Sequence, residues 1–152
     1  MIICDTGPIF AAADRRDADH HACVELFTGL RLAGRRLLLP QTVMAEVGYM
    51  LEAKVGTFAE VAFLESVADG SFELVNLTTA DAARMAGLVE RYDDLPLGTT
   101  DASVIALAER LDATEIATID TFESYAPAMW MRSRCCHSLC REPGMGGMHC
   151  PG

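Results

Sequence analysis

The chain has 152 residues, 51% hydrophobic and 22% charged, an ordinary composition for one globular domain with a sizeable core. Its 12 basic residues against 22 acidic ones give a formal charge of −10, which argues against broad, non-specific nucleic-acid binding and suits a basic partner. No run approaches the roughly 18 apolar residues of a membrane span, and the start lacks a basic region followed by a long apolar one. No membrane association and a cytoplasmic location are therefore expected.

Residues 1–7, M-I-I-C-D-T-G, open with β-branched Ile2 and Ile3 as a short buried strand, stopped by Asp5 and a turn-forming Gly7. Ligands bind at the carboxyl ends of strands in open parallel sheets, so Asp5 is placed for chemistry; equally, it could cap a following helix. Apolar Ala22, Leu26, Leu30 and Ala33 predict a helix over 17–32, with Gly34 as its stop. Residues 35–39 read as a second strand closed by Pro40. Val43, Val47, Met50 and Leu51 predict a helix over 41–54, and 57–68 gives another, capped by Thr57 and ended by Gly70. Residues 72–77 read as a strand, 79–91 as a helix capped by Thr78 or Thr79, and D-D-L-P-L-G at 93–98 as a loop. Thr100 is expected to cap a helix through Leu111, and 115–119 is apolar enough for a last core strand. Strands alternating with helices predict an α/β class fold, a three-layer α/β/α sandwich around a central parallel sheet of four to five strands.

Four acids stand out in that frame. Asp5 and Asp120 end strands, Glu46 falls at the edge of its helix's apolar face, and Asp101 lies on the buried stripe at the first turn of its helix. Asp101 also suits a helix N-terminus through the macrodipole, and Glu46 could turn outward. Buried carboxylates tend to be paired or to coordinate metals, yet the only lysine is Lys54 and no arginine is near Asp5, Glu46 or Asp120 in sequence. Clustered carboxylates without cationic partners suit Mg²⁺ or Mn²⁺, and the matching chemistry is metal-assisted phosphodiester hydrolysis.

The chain resembles the PIN-domain nucleases, specifically the VapC-type toxin ribonucleases of toxin–antitoxin pairs. The resemblance rests on D-T-G at 5–7, A-E-V-G-Y around Glu46, Y-D-D-L-P-L-G-T-T-D-A-S-V-I-A-L-A containing Asp101, and A-T-I-D-T-F containing Asp120 and Phe122, in the family's order and spacing. It implies a four-acid site, Asp5, Glu46, Asp101 and Asp120, that cuts RNA to leave a 5′-phosphate and a 3′-hydroxyl. Asp5, Asp101 and Asp120 would be the metal ligands, and Glu46 would act through a water or orient the nucleophile. Thr6 and Thr118 match small polar positions that support the acids, and Asp94 matches a loop acid sometimes present. The resemblance further implies an antitoxin that covers the acidic groove with Arg or Lys, and a homodimer. Arg15, Arg16, Arg35 and Arg36 are candidate phosphate contacts, with ordinary solvated surface as the other reading.

The resemblance covers residues 1–125 as the nuclease domain; 126–152 changes abruptly to Met, Gly and Cys. Within this atypical tail, 128–131 reads as a short edge strand and the residues after it as disordered. Cys135, Cys136, His137, Cys140, His149 and Cys150 match no standard zinc spacing, so no zinc site is expected, while Cys4 and Cys23 read as core residues. Adjacent His20 and His21 point about 100° apart on a helix and are expected on a solvated surface. No phosphate-binding glycine loop is present. The alternative function is a catalytically inactive PIN-like module that binds antitoxin or RNA.

Overall fold

The computed structural model describes residues 1–94 and 97–119, together with the backbone of a strand at 132–135. The chain runs β1 (Ile2–Cys4), α1 (Thr6–Ala13), α2 (His20–Leu32), β2 (Leu37–Pro40), α3 (Gln41–Lys54), α4 (Thr57–Ala68), β3 (Glu73–Val75), α5 (Thr79–Arg91), α6 (Thr99–Leu111), β4 (Glu115–Thr118) and β5 (Arg132–Cys135). The five strands are parallel in the order β3-β2-β1-β4-β5. Ile3 pairs with Leu38 on one side and Ile116 on the other, so β1 is the central strand. Every residue of β1 and β2 is buried, as continuous apolar runs must be when a parallel sheet is covered on both faces.

Helices α1 to α4 form one connected group, with α1 against α2 and α3, and α3 against α4; α5 packs along α6. Helical crossovers lead to strands on both sides of β1, giving the expected α/β/α layering. Residues 102–108 of α6 are all buried, making it the central helix of the core.

Helix α1 departs from the sequence reading, which took Gly7 as the start of a turn. Pro8 lies in the first helical turn, where its missing N–H removes no helical bond, and Asp5 caps the helix from β1. Helix α2 begins at His20 rather than 17, after a turn in which Asp14 receives backbone N–H bonds from Arg16 and Asp17. Thr57 and Thr100 lie inside their helices, the N-caps being Gly56 and Gly98. At the sheet's edge, 128–131 lies outside the described residues, and the strand that pairs with β4 is Arg132–Cys135. Its ladder is made by backbone groups, so a polar R-S-R-C segment satisfies β4 as well as an apolar one would. Among the described residues, no helix is long and apolar enough to cross a membrane.

Helix α6 is clamped to α5 by two ion pairs. Arg84 grips Glu109 at 2.6 Å, and Arg110 donates to Asp81 at 3.0 Å and to the Asn76 carbonyl at 3.0 Å. Asp81 also completes a capping box with Thr78. Burial pushes the Asp81 carboxyl up, but the Thr78 N–H and hydroxyl and the Arg110 guanidinium outweigh it and hold the group below the usual carboxylate value. With its folded value lowered, Asp81 stabilises the fold above the unfolded carboxyl range of about 4, and this stabilisation is lost as pH falls through the folded value. Asp81→Asn should lower stability at neutral pH by about 2 kcal/mol and make the acid limb of melting temperature against pH shallower. Calorimetry between acid and neutral pH checks both; an unchanged acid limb would count against the assignment.

Candidate functional site

The strand order reverses direction between β1 and β4, so the crevice outside their carboxyl ends is the topological switch point, where open α/β sheets bind ligands. Asp5 directly follows β1 and Thr118 ends β4. Only 5% of Asp5 is exposed, and both carboxylate oxygens are engaged: Oδ1 accepts from the Thr6 N–H at 2.8 Å and Oδ2 from the fully buried Thr118 hydroxyl at 2.9 Å. The Asp5 N–H in turn donates to the Ala117 carbonyl at 3.0 Å. Asp5 thus caps α1 and stands at the switch point.

Thr6, the first residue of α1, donates its hydroxyl to Glu46 Oε2 at 2.5 Å, bringing together residues 40 apart in sequence. Glu46 lies on the exposed side of α3, so its carboxylate is anchored at the mouth of the site rather than in the core. Asp101 is the third residue of α6 and half-buried; its Oδ2 accepts the Gly98 N–H at 3.0 Å, half of a capping box, since Gly98 has no side chain to return the bond. A Cβ at Gly98 would lie 3.2 Å from that same oxygen, so glycine there leaves room for the acid. Near the same end of the molecule Thr42 of α3 meets Ser103 of α6 through their hydroxyls.

Sequence reasoning missed Thr42, Ser103 and Gly98. The available signals were Thr42 one turn before Glu46 and a hydroxyl within the apolar run of α6. Asp120 lies outside the described residues, as do Phe122 and the tail's cysteines and histidines apart from the backbone of Cys135. Asp94 is exposed in the turn after α5.

Parallel strands put all their starts at the edge opposite Asp5. There Arg35 pairs with Glu115, and Arg36 grips Glu73 at 2.7 Å. Arg16, past the end of α1, holds Asp14 at 3.1 Å and the Lys54 carbonyl at 2.8 Å. Arg15 and Arg16 border an apolar groove of about 950 Å³ between α1, α2 and α4, whose lining includes Phe27, Phe58, Phe63 and Phe72. Burial, with Asp5 beside it, pushes the Cys4 thiol well up, so Cys4 is a neutral packing group rather than a nucleophile.

Asp5, Glu46 and Asp101 with their threonine and serine partners offer oxygen donors, the chemistry that hard divalent cations prefer. Among the described residues no group of three or more His, Cys, Asp or Glu side chains is gathered to hold a metal, with Asp120 standing outside them.

The model of the PIN domain family matches residues 2–122. The chain is 33% identical over 119 residues to ribonuclease VapC26 of Mycobacterium tuberculosis, covering 78% of this chain and 86% of that protein. Its fold is similar to that of VapC20 of the same species, a sarcin–ricin-loop-cleaving toxin, with a TM-score of 0.74, 19% identity and coverage of 87% and 99% of the two chains. It is also similar to VapBC2 of Rickettsia felis, solved with a DNA fragment from its promoter, with a TM-score of 0.63, 15% identity and coverage of 88% and 98%. With the family model matching residues 2–122 and a VapC relative at 33% identity, the chain belongs to the PIN-domain family, on its VapC-type branch.

Proposed function

We propose that this protein is the toxin of a toxin–antitoxin pair, a cytoplasmic metal-dependent endoribonuclease that hydrolyses RNA at the carboxyl edge of the sheet. The observation that carries the reading is the hydrogen-bonded chain Thr118, Asp5, Thr6, Glu46, which joins two of the family's acids across the switch point. Asp5, Asp101 and Asp120 are the residues that would hold Mg²⁺ or Mn²⁺. Such an ion would supply positive charge to the phosphate oxygens and make a bound water easier to deprotonate. Glu46, exposed at the mouth and steadied by Thr6, takes the proton of the attacking water. The water oxygen bonds to phosphorus in line, the bond to the 3′-oxygen breaks with its electron pair, and that oxygen takes a proton from solvent, so the products carry a 5′-phosphate and a 3′-hydroxyl. Thr6 and Thr118 orient Asp5 and Glu46 without entering the reaction. By likeness to the loop-cleaving VapC20, the substrate is a looped RNA.

The partner is an antitoxin, and the fit is electrostatic and apolar together. A chain with a formal charge of −10 attracts a basic segment, and Arg or Lys from it would neutralise the acids. The groove beside α1 offers the rest of that segment a dry seat, with Phe58 89% exposed at its border. We read the free toxin as a homodimer.

Purified protein should cut a mixed tRNA and rRNA pool with Mg²⁺ or Mn²⁺, stop with EDTA, and lose at least about a hundredfold in rate as Asp5→Asn, the scale expected when a direct ligand is neutralised. No cutting by folded protein would instead support the inactive binding module, and metal-dependent cutting that survives Asp5→Asn would take Asp5 out of the catalytic site. Phe58→Asp should weaken capture of the cognate antitoxin at least about tenfold with cleavage by free toxin unchanged, measured by titration calorimetry; unchanged affinity would move the antitoxin's seat elsewhere.

A further inference from the structure

Glu46 and Asp101 sit on different helices, α3 and α6, and one polar contact joins those helices beside the acids. Thr42 Oγ1 lies at hydrogen-bond distance from Ser103 Oγ, 61 residues away in sequence. The direction of that bond follows from proton supply. The Ser103 hydroxyl has one hydrogen, and its oxygen lies 2.6 Å from the Thr100 carbonyl, which can only accept. Ser103 therefore donates to Thr100 and accepts from Thr42.

Each end of this relay lands beside an acid. Thr42 is four residues before Glu46, on the same face of α3 one turn earlier. The Thr100 carbonyl belongs to the peptide unit that carries the Asp101 nitrogen. Ser103 is fully buried, and burying a hydroxyl is costly unless its bonds are made. Helix α3 starts after Pro40 with no side-chain cap, so the Thr42 hydroxyl serves the contact between helices rather than its own N-terminus.

We infer that Thr42 and Ser103 are positioning residues, a hydroxyl brace that sets the spacing between Glu46 on α3 and Asp101 on α6. The inference rests on the nuclease reading above. It assigns neither residue to the metal or the RNA: both act through the acids.

The test is a mutant cycle of Thr42→Val, Ser103→Ala and the double variant, with Thr42→Ser as the conservative control and Asp5→Asn as the site control. Two readouts accompany RNA cleavage: the melting temperature without metal, and the Mn²⁺ concentration giving half the metal-induced rise in melting temperature. Partners one step behind a metal ligand change affinity by about 10- to 100-fold. A brace acting one step further back should raise the Mn²⁺ midpoint about three- to tenfold in each single variant. The double variant should be no worse than the worse single, because both remove one contact. Thr42→Ser should restore the wild-type midpoint. Single variants that fold and keep the wild-type midpoint overturn the brace, as does an additive double variant. Should metal-free melting fall so far that Thr42→Val is unfolded, Ser103→Ala and Thr42→Ser still decide, since only a brace lets serine at 42 recover the midpoint. If the wild type itself shows no metal-induced shift sensitive to Asp5→Asn, the nuclease reading fails, and the brace with it, a result distinct from normal metal binding in the brace variants.

Discussion

A carboxylate with 5% of its surface exposed survives in a fold only if donors meet it, and at Asp5 those donors come from two other elements. The Thr6 N–H is supplied by the start of α1, and the Thr118 hydroxyl by the end of β4, 113 residues away. Meeting the second demand requires β4 beside β1, although β2 and β3 lie between them in sequence. The chain must therefore return across the sheet through α5 and α6, and that return is what creates the switch point. The same hydrogen-bonded carboxylate thus ties the topology to the location of the site.

The returning connection also explains why Asp101 is held where it is. Helix α6 is buried over seven consecutive residues, so rotation about its axis would carry Ser103 and the first-turn acid out of register at the cost of core packing. Its last turn is clamped by Arg84 to Glu109 and by Arg110 to Asp81, while its first turn is tied by Asp101 to the Gly98 N–H. Polar contacts hold the two ends and apolar burial holds the middle. A helix restrained in this way can present a carboxylate to a small cation with little freedom left to lose.

The fold class was legible because strand and helix periods differ and because α2, α3 and α4 stop at glycines, Gly34, Gly56 and Gly70. Helix α1 was legible only as the helix that Asp5 could cap, since Gly7 read as turn-forming; the location of Pro8 in the first turn makes it compatible with a helix. Asp5 and Glu46 were legible as acids at a strand end and a helix edge, but their link through Thr6 was not, because a contact across 40 residues is decided by packing. The Thr42 and Ser103 pair was hidden for the same reason. The arginine doublets were open to either reading until strand direction was known. A doublet preceding a parallel strand necessarily lies at the edge away from the switch point, and there Arg35 and Arg36 meet Glu115 and Glu73.

That last placement organises charge across the whole molecule. Arg16, Arg35 and Arg36 each face an acid at or near the edge where strands begin, so three of the chain's 12 basic residues are paired there. Ion pairs at such exposed sites contribute little to stability. Their larger effect is on the field: positive charge paired locally does not offset the acids at the opposite edge. On the reading proposed above, a formal charge of −10 over the chain would favour a divalent cation, or the basic residues of a partner, at the switch point. On the nuclease reading proposed above, a cation would have to offset these acids before an RNA backbone could enter the crevice, so cation and substrate would bind in a linked order.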